Sequence, residues 1–408
     1  MSLANGRHYL AIPGPSVMPE RVLNAMHCAA PNIYEGPFVE MMPAILRDLK
    51  SVARTKHDAV IYIANGHGAW EAALANVLSR GDKVLALATG RFARGWSEMA
   101  ESLGVDVELV DFGPQAPVDP DRLAERLAAD PSHQIRAVLC VHVDTSTSVR
   151  TDVAAVRSAL DAAGHPALLM VDCIASLACD PFEMDLWGAD VMVAGCQKGL
   201  MTPPGLGIVY YNDKADRARS RANCVTHYWD WRRRTNPAMY YHYFDGTAPT
   251  HHLYGLRAAL DMISEEGLEA VWGRHASLAR GVWAALETWG TRGGLRPNVP
   301  DARDRSHAVT SVRVGPGQAS ALRAWVAENT GVTLGIGLGM ETTEATRGDD
   351  VFRIGHMGHV NAQMVMGMLG ALEMGLRATG IPYAPGGLEA AASAMSEAAN
   401  ASAREAAQ

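Results

Sequence analysis

Lysine is scarce in this sequence: of 36 basic residues only Lys50, Lys56, Lys83, Lys198 and Lys214 are lysines. Long basic runs are missing as well. The formal net charge is −8, and the one cationic cluster, Arg232-Arg233-Arg234, is short and set among aromatics. Nucleic acid and anionic membranes are therefore poor partners. No stretch is long and apolar enough for a membrane span. The opening residues, Met1 to Gly6, lack the charged start and apolar region of a signal peptide. Six cysteines (Cys28, Cys140, Cys173, Cys179, Cys196, Cys224) are scattered without metal-ligand spacing, so no metal site is expected. They fit reduced, buried thiols in a cytoplasmic protein. What remains is ordinary globular composition. The chain has 408 residues, 48% hydrophobic and 20% charged, enough for a large core and a smaller domain.

Seven apolar runs between about residues 57 and 211 read as buried strands: 60–63, 83–87, 107–110, 137–141, 167–171, 191–194 and 207–211. Helical patterns such as 70–78, 96–103 and 153–163 separate several of them. This alternation predicts an α/β fold with a mostly parallel seven-stranded sheet sandwiched by helices. Beyond residue 213 the composition shifts, and 224–250 reads as an ordered loop rich in aromatics, His, Arg and Pro. A long helical stretch is expected over roughly 252–290. A smaller α+β unit follows, with strands at 308–314 and 351–354 and helices at 319–328 and 361–378. The expected division is an N-terminal segment 1–20, a large domain 21–285, a small domain 286–387 and an Ala-rich tail 388–408. The tail fits either a surface helix or a disordered end.

Ligands of such sheets bind beyond the carboxyl ends of the strands, so the residues there carry the functional expectation. Lys198 follows the apolar run 191–194 and precedes a turn rich in Gly and Pro. Two readings fit it. One is a lysine snorkelling from a strand end. The other is an amine whose pKa burial lowers, as a Schiff-base nucleophile requires. Asp172 ends the preceding strand. It could cap a helix, or it could pair with a cation such as a protonated pyridine nitrogen, which makes a cofactor ring an electron sink. Asp172 and Lys198 on successive strand ends would face one crevice, which a cap alone does not require.

Asn65-Gly66-His67-Gly68 joins a strand to a helix, where glycines let backbone amides approach an anion such as phosphate. Thr145, Ser146 and Gln197 are candidate further donors. Arg353 lies within an apolar strand. It fits an internal salt bridge, or a fork that grips a substrate carboxylate.

Taken together these motifs resemble the class V aminotransferases of the serine–, alanine– and aspartate–glyoxylate type. The resemblance spans roughly residues 8–385. It rests on Pro13-Gly14-Pro15, Gly66-His67 with Trp70-Glu71-Ala72, Gly81-Asp82-Lys83-Val84, the run His142 to Thr147, Val171-Asp172 with Ala175-Ser176, Gln197-Lys198-Gly199 with Pro204-Gly205-Leu206, and Arg353-Ile354-Gly355-His356. It implies a fold-type I enzyme that uses pyridoxal 5'-phosphate. Lys198 then carries the cofactor and moves the proton, and Asp172 pairs with the ring nitrogen. Phe92 stacks on the ring, while Asn65, Gly66, His67, Thr145 and Gln197 surround phosphate and ring. Thr247 reaches the phosphate of a neighbouring subunit, which implies a homodimer with shared sites. Arg353 binds the substrate carboxylate, with Tyr34 and Ser16 on the substrate side.

The chain departs from the family at Asn65, Val17, the segment Ile33 to Pro37, and Phe244, which takes the place of a tyrosine. Tyr34, Asp144-Thr145 and the Arg353–Gly358 run are also similar to pyridoxamine–pyruvate aminotransferase. The expected activity is transamination from a small amino acid, such as serine or alanine, to glyoxylate or pyruvate, with a pyridoxamine–pyruvate activity as the alternative. A cysteine desulfurase would need a nucleophilic cysteine in the C-terminal region, and none follows Cys224. A nucleotide-dependent oxidoreductase would need a Gly-x-Gly-x-x-Gly turn after an early strand, and none is present.

Overall fold

The computed structural model describes residues 3–340 and 349–406, with side chains through Glu397. Twelve strands are present among these residues: β1 (Tyr9–Ala11), β2 (Asp58–Ala64), β3 (Lys83–Ala88), β4 (Asp106–Asp111), β5 (Ile135–Val141), β6 (Leu168–Asp172), β7 (Val191–Gly195), β8 (Gly205–Tyr211), β9 (Arg296–Pro297), β10 (Val309–Arg313), β11 (Val332–Ile336) and β12 (Val351–Gly355). Seven form one sheet in the order β2-β8-β7-β6-β5-β3-β4. β8 runs antiparallel to both β7 and β2, and the other pairings are parallel. The link between β7 and β8 is residues 196–204, too short for a parallel crossover, so the chain must turn back. Lys198 sits in that link.

The central strands are buried on both faces: every residue of β6 and β7 is buried, as continuous apolar runs predict. Helices cover each side. On one face Ile45, Leu49, Val156, Leu160, Leu253 and Leu256 pack together. On the other, Trp70, Leu74, Trp96 and Ala100 do so. The helix Arg91–Ser102 shows the pattern: it buries Ala93, Trp96, Ser97 and Ala100, packs Phe92 and Met99 at the edge of the same core, and exposes Arg91, Arg94, Glu98, Glu101 and Ser102.

The second sheet has the order β1-β11-β12-β10-β9, with β1 parallel to β11. The periodicity of the sequence missed β1, β9 and β11: β1 and β9 are only 3 and 2 residues long, and Gly335 interrupts the apolar pattern of β11. The N-terminal segment is thus part of the smaller unit's sheet, and residues 12–16 run from there towards Lys198. The expected helical stretch over 252–290 is present as two helices, Thr250–Glu266 and Leu268–Gly290, parted at Gly267, whose φ of +86° suits glycine. The second of these crosses position 285: Val271 joins the large core, and Leu278, Val282, Leu286 and Trp289 join the small one. The tail forms a helix, Gly387–Ala406. It is not a mere surface element, because Ala391 and Met395 complete the small core. No described helix is long and apolar enough to cross a membrane.

Candidate active site

β6 and β7 end side by side, with Asp172 paired in register to Val193. This brings Asp172 and Lys198 to one cavity of about 300 Å³, beyond the carboxyl ends of the parallel strands. Asn65, Gly66, His67, Phe92, Thr145 and Gln197 line the same cavity. A larger groove, about 1010 Å³, lies between the N-terminal segment and the helix Ala362–Ala378. It is walled by Met18, Met364, Met368 and Met374 and gathers none of the sequence-predicted residues, so the chemistry belongs to the smaller cavity.

Asp172 is 3% exposed. Its Oδ2 accepts the indole N–H of Trp70 at 2.9 Å, and its Oδ1 accepts the Ile174 amide at 2.7 Å. No side chain among the described residues forms an ion pair with it. Burial therefore pushes its pKa up to about 7, Asp144 adds to the rise, and the two N–H donors and Lys198 oppose it. The helix-capping reading is not realised, since Asp172 begins no helix.

The Lys198 amine donates to the Pro13 carbonyl. Burial, reinforced by the Arg353 charge, pulls its pKa down to about 8. Two contacts hold the lysine's backbone to the N-terminal segment. The Ser16 amide donates to the Gln197 carbonyl at 2.9 Å, and the Ser16 hydroxyl donates to the Lys198 carbonyl at 2.7 Å. Gly14 has a φ of +103°, and a Cβ there would collide with the Lys198 side chain. The glycine is required on both counts.

Gly66 opens the helix Gly66–Val77. The Asn65 side chain caps it by accepting the Gly68 amide at 3.2 Å. The Gly66 and His67 amides remain, which no helical turn can pair. They form the positive end of a helix dipole at the cavity wall. Burial first, then Arg91, lowers the pKa of His67 and favours the neutral ring. His67, Phe92 and Trp96 surround Trp70, at centroid distances of 4.6, 6.2 and 6.0 Å.

Arg353 is 6% exposed and stands at the centre of the second sheet, on β12. Its Nε donates to the Ile336 carbonyl at 2.6 Å and its Nη1 to the Thr145 carbonyl at 2.9 Å. Burial lowers its pKa to about 10. It has no salt bridge among the described residues, and within them Nη2 has no hydrogen-bond partner.

Three candidates lie elsewhere. Ser16 is buried, with its hydroxyl engaged by the Lys198 backbone. Tyr34 is 79% exposed. Thr247 is exposed and does not line the cavity within its own chain. Phe244 is buried in the large core. Sequence reasoning gave no role to the Trp70 indole or the Pro13 carbonyl. The first had a signal, an aromatic one turn into the helix after the Gly-His turn. A backbone carbonyl has none.

The pattern for class V aminotransferases matches residues 8–347. The serine–glyoxylate aminotransferase of Methylorubrum extorquens is 38% identical over 399 residues, covering 95% of this chain and 96% of that one. The L-aspartate–glyoxylate aminotransferase of Paracoccus denitrificans is 38% identical over 384 residues, covering 93% and 94%. The crystal structure of pyridoxamine–pyruvate aminotransferase from Mesorhizobium loti superposes with a TM-score of 0.85 at 25% identity, covering 97% and 100%.

Proposed function

Because the chain belongs to the class V aminotransferases, we propose that it uses pyridoxal 5'-phosphate to move the amino group of a small amino acid, serine, alanine or similar, to glyoxylate or pyruvate. The observation that carries this reading is the pairing of a pKa-lowered amine, Lys198, with a buried carboxylate, Asp172, that has no ion partner among the described residues, across one cavity. The residues fit the cofactor in two further ways. The Gly66 and His67 amides suit a phosphate. The Oε1 of Gln197 is buried in the cavity wall with no hydrogen-bond partner among the described residues, and a ligand donor would satisfy it.

When bound, the cofactor supplies an aldehyde that captures an amine and a ring that takes up an electron pair. Lys198 would hold that aldehyde carbon and, once released, carry the proton from the substrate α-carbon. Asp172 would keep a proton on the ring nitrogen. Phe92 would cover a ring face and exclude water, with Asn65 and Thr145 at the ring and phosphate edge. Arg353 would bind the substrate carboxylate through Nη1 and Nη2. The related enzymes named above act on serine or aspartate with glyoxylate, which supports glyoxylate as acceptor. A pyridoxamine–pyruvate activity is the second reading, supported by the close structural likeness to that enzyme.

The test is borohydride fixation of protein incubated with the cofactor, followed by peptide mass mapping. Wild type should gain the cofactor mass on the peptide holding Lys198, and Lys198→Ala should gain none and lose transamination. A Lys198→Ala protein that keeps both would end this reading. Single amino acids and pyridoxamine, each offered to the loaded enzyme, distinguish the two substrate readings: conversion by pyridoxamine alone leaves only the second. A cytoplasmic homodimer completes the proposal, with Thr247 serving the partner's cofactor. Six free cysteines and the exposed position of Thr247 support it. Sedimentation would check the dimer, and a monomer that turns over at full rate would refute the shared site.

A further inference from the structure

Asp144 is fully buried, one residue before Thr145, and has no role in the chemistry above. Four donors converge on its carboxylate. Oδ2 accepts the amides of Phe92 at 2.8 Å and Ala93 at 3.2 Å. Oδ1 accepts the amide of Ser146 at 3.0 Å and its hydroxyl at 2.6 Å. The Ser146 hydroxyl in turn accepts the Arg91 amide at 3.1 Å. The first three amides of the helix Arg91–Ser102 are thus all met from the loop after β5. The helix's own cap position is Gly90, which has no side chain to offer. Glycine is needed there, because a Cβ would stand 2.5 Å from the Asp144 carboxyl carbon.

The same loop faces the other way too. The Thr145 carbonyl accepts Arg353 Nη1, and the Ser146 carbonyl accepts the Ser311 hydroxyl at 2.8 Å. One carboxylate therefore sits between the helix that carries Phe92 and the backbone that orients Arg353. The helix and that backbone both belong to the seven-stranded unit, whereas Arg353 comes from the second sheet, so the junction links groups that would touch the two ends of the proposed ligand pair.

We propose that Asp144 is the positioning residue of this site, fixing Phe92 over the cofactor and Arg353 at the substrate carboxylate through one hydrogen-bonded junction. The inference rests on the cofactor and carboxylate placement of the preceding subsection. Only a carboxylate can meet all four donors at once. An amide of the same shape turns an NH2 group towards two of them and leaves them unpaired.

The experiment compares wild type with Asp144→Asn in two measurements. The first is the dissociation constant of pyridoxal 5'-phosphate for the cofactor-free protein, read by quenching of tryptophan fluorescence. The second is KM and kcat for serine with glyoxylate at saturating cofactor. Loss of charge-assisted bonds at both ends should raise the dissociation constant and the KM by about tenfold or more. The kcat per loaded site should change by less than about threefold, since misplaced binding groups act on ground and transition states alike. A fall in kcat with both affinities unchanged would point to a general structural defect and overturn the proposal, as would wild-type values throughout. Ser146→Ala and Gly90→Ala disturb the same junction while keeping the carboxylate. They should reproduce the two affinity losses, and they carry the test if Asp144→Asn does not fold. A wild type that takes up no cofactor overturns both this proposal and the reading beneath it. Cofactor uptake with unperturbed variants overturns this proposal alone.

Discussion

The Trp70 indole donates a 2.9 Å hydrogen bond to Asp172, joining the helix after β2 to the end of β6. With the Ile174 amide it supplies the only side-chain or amide donors on that carboxylate among the described residues. Neither is a full charge. Asp172 is therefore held in place but not neutralised, and a cationic ring nitrogen would find an acceptor already oriented.

Trp70→Phe removes the indole donor together with part of a buried ring. A hydrogen bond to a charged group contributes about 1.5–3 kcal/mol, so cofactor affinity should fall roughly ten- to 150-fold. A fluorescence or absorbance titration of cofactor-free protein checks this, and unchanged affinity would show that the indole contributes only packing.

Asp172 also predicts a pH dependence of stability in the cofactor-free protein. Its folded pKa of about 7 lies above the unfolded value of about 3.9. Between those values the folded state binds more protons than the unfolded one. Stability from this group is therefore present below about pH 4 and lost as pH rises through 7. The full loss is on the order of 4 kcal/mol. Urea midpoints measured from pH 4 to 8 should show that decline in wild type and a shallower one in Asp172→Asn. Parallel curves would contradict the assignment.

Lys198 predicts the opposite kind of pH effect, on a rate. Capture of an aldehyde needs the neutral amine. With a pKa of about 8, roughly a fifth of the amines are neutral at pH 7.4, against about 0.1% for an ordinary lysine. Attachment of the cofactor to cofactor-free protein should quicken about tenfold per pH unit below 8 and level off above it. Stopped-flow absorbance would reveal a midpoint near 10 instead if the amine were unperturbed.

Arg353→Lys keeps the charge but cannot reach two carbonyls and a carboxylate at once. The KM for the amino donor should rise roughly ten- to 150-fold, while cofactor uptake stays within about twofold of wild type. An equal loss of cofactor affinity would move Arg353 from the substrate to the cofactor.

The tail offers a test of stability alone. Met395 is buried against Gly281, where a Cβ would lie 2.7 Å from its Cγ. Met395→Ala should cost about 2–5 kcal/mol by opening a cavity in the small core. Thermal unfolding measures it, and a change below about 0.5 kcal/mol would mark the helix as loosely attached.

The sequence by itself determined the strand–helix alternation, because buried parallel strands must be continuously apolar and their covering helices amphipathic. It also determined the principal site candidates. Asp172, Lys198 and the Gly66-His67 turn all sit at or just beyond strand ends, and the topology of open sheets puts such residues on one edge. Tertiary structure alone decided the rest. The strand β1 pairs with β11, more than 300 residues away, and that pairing draws Pro13, Gly14 and Ser16 across Lys198. Three residues of strand carry too little periodicity to announce such a partner. The break at Gly267 and the docking of the tail likewise depend on what each helix packs against, since helical periodicity runs through both. Asp144 was visible as a residue and invisible as a junction. Its four donors come from the loop and helix it joins, and no spacing along the chain records that they meet.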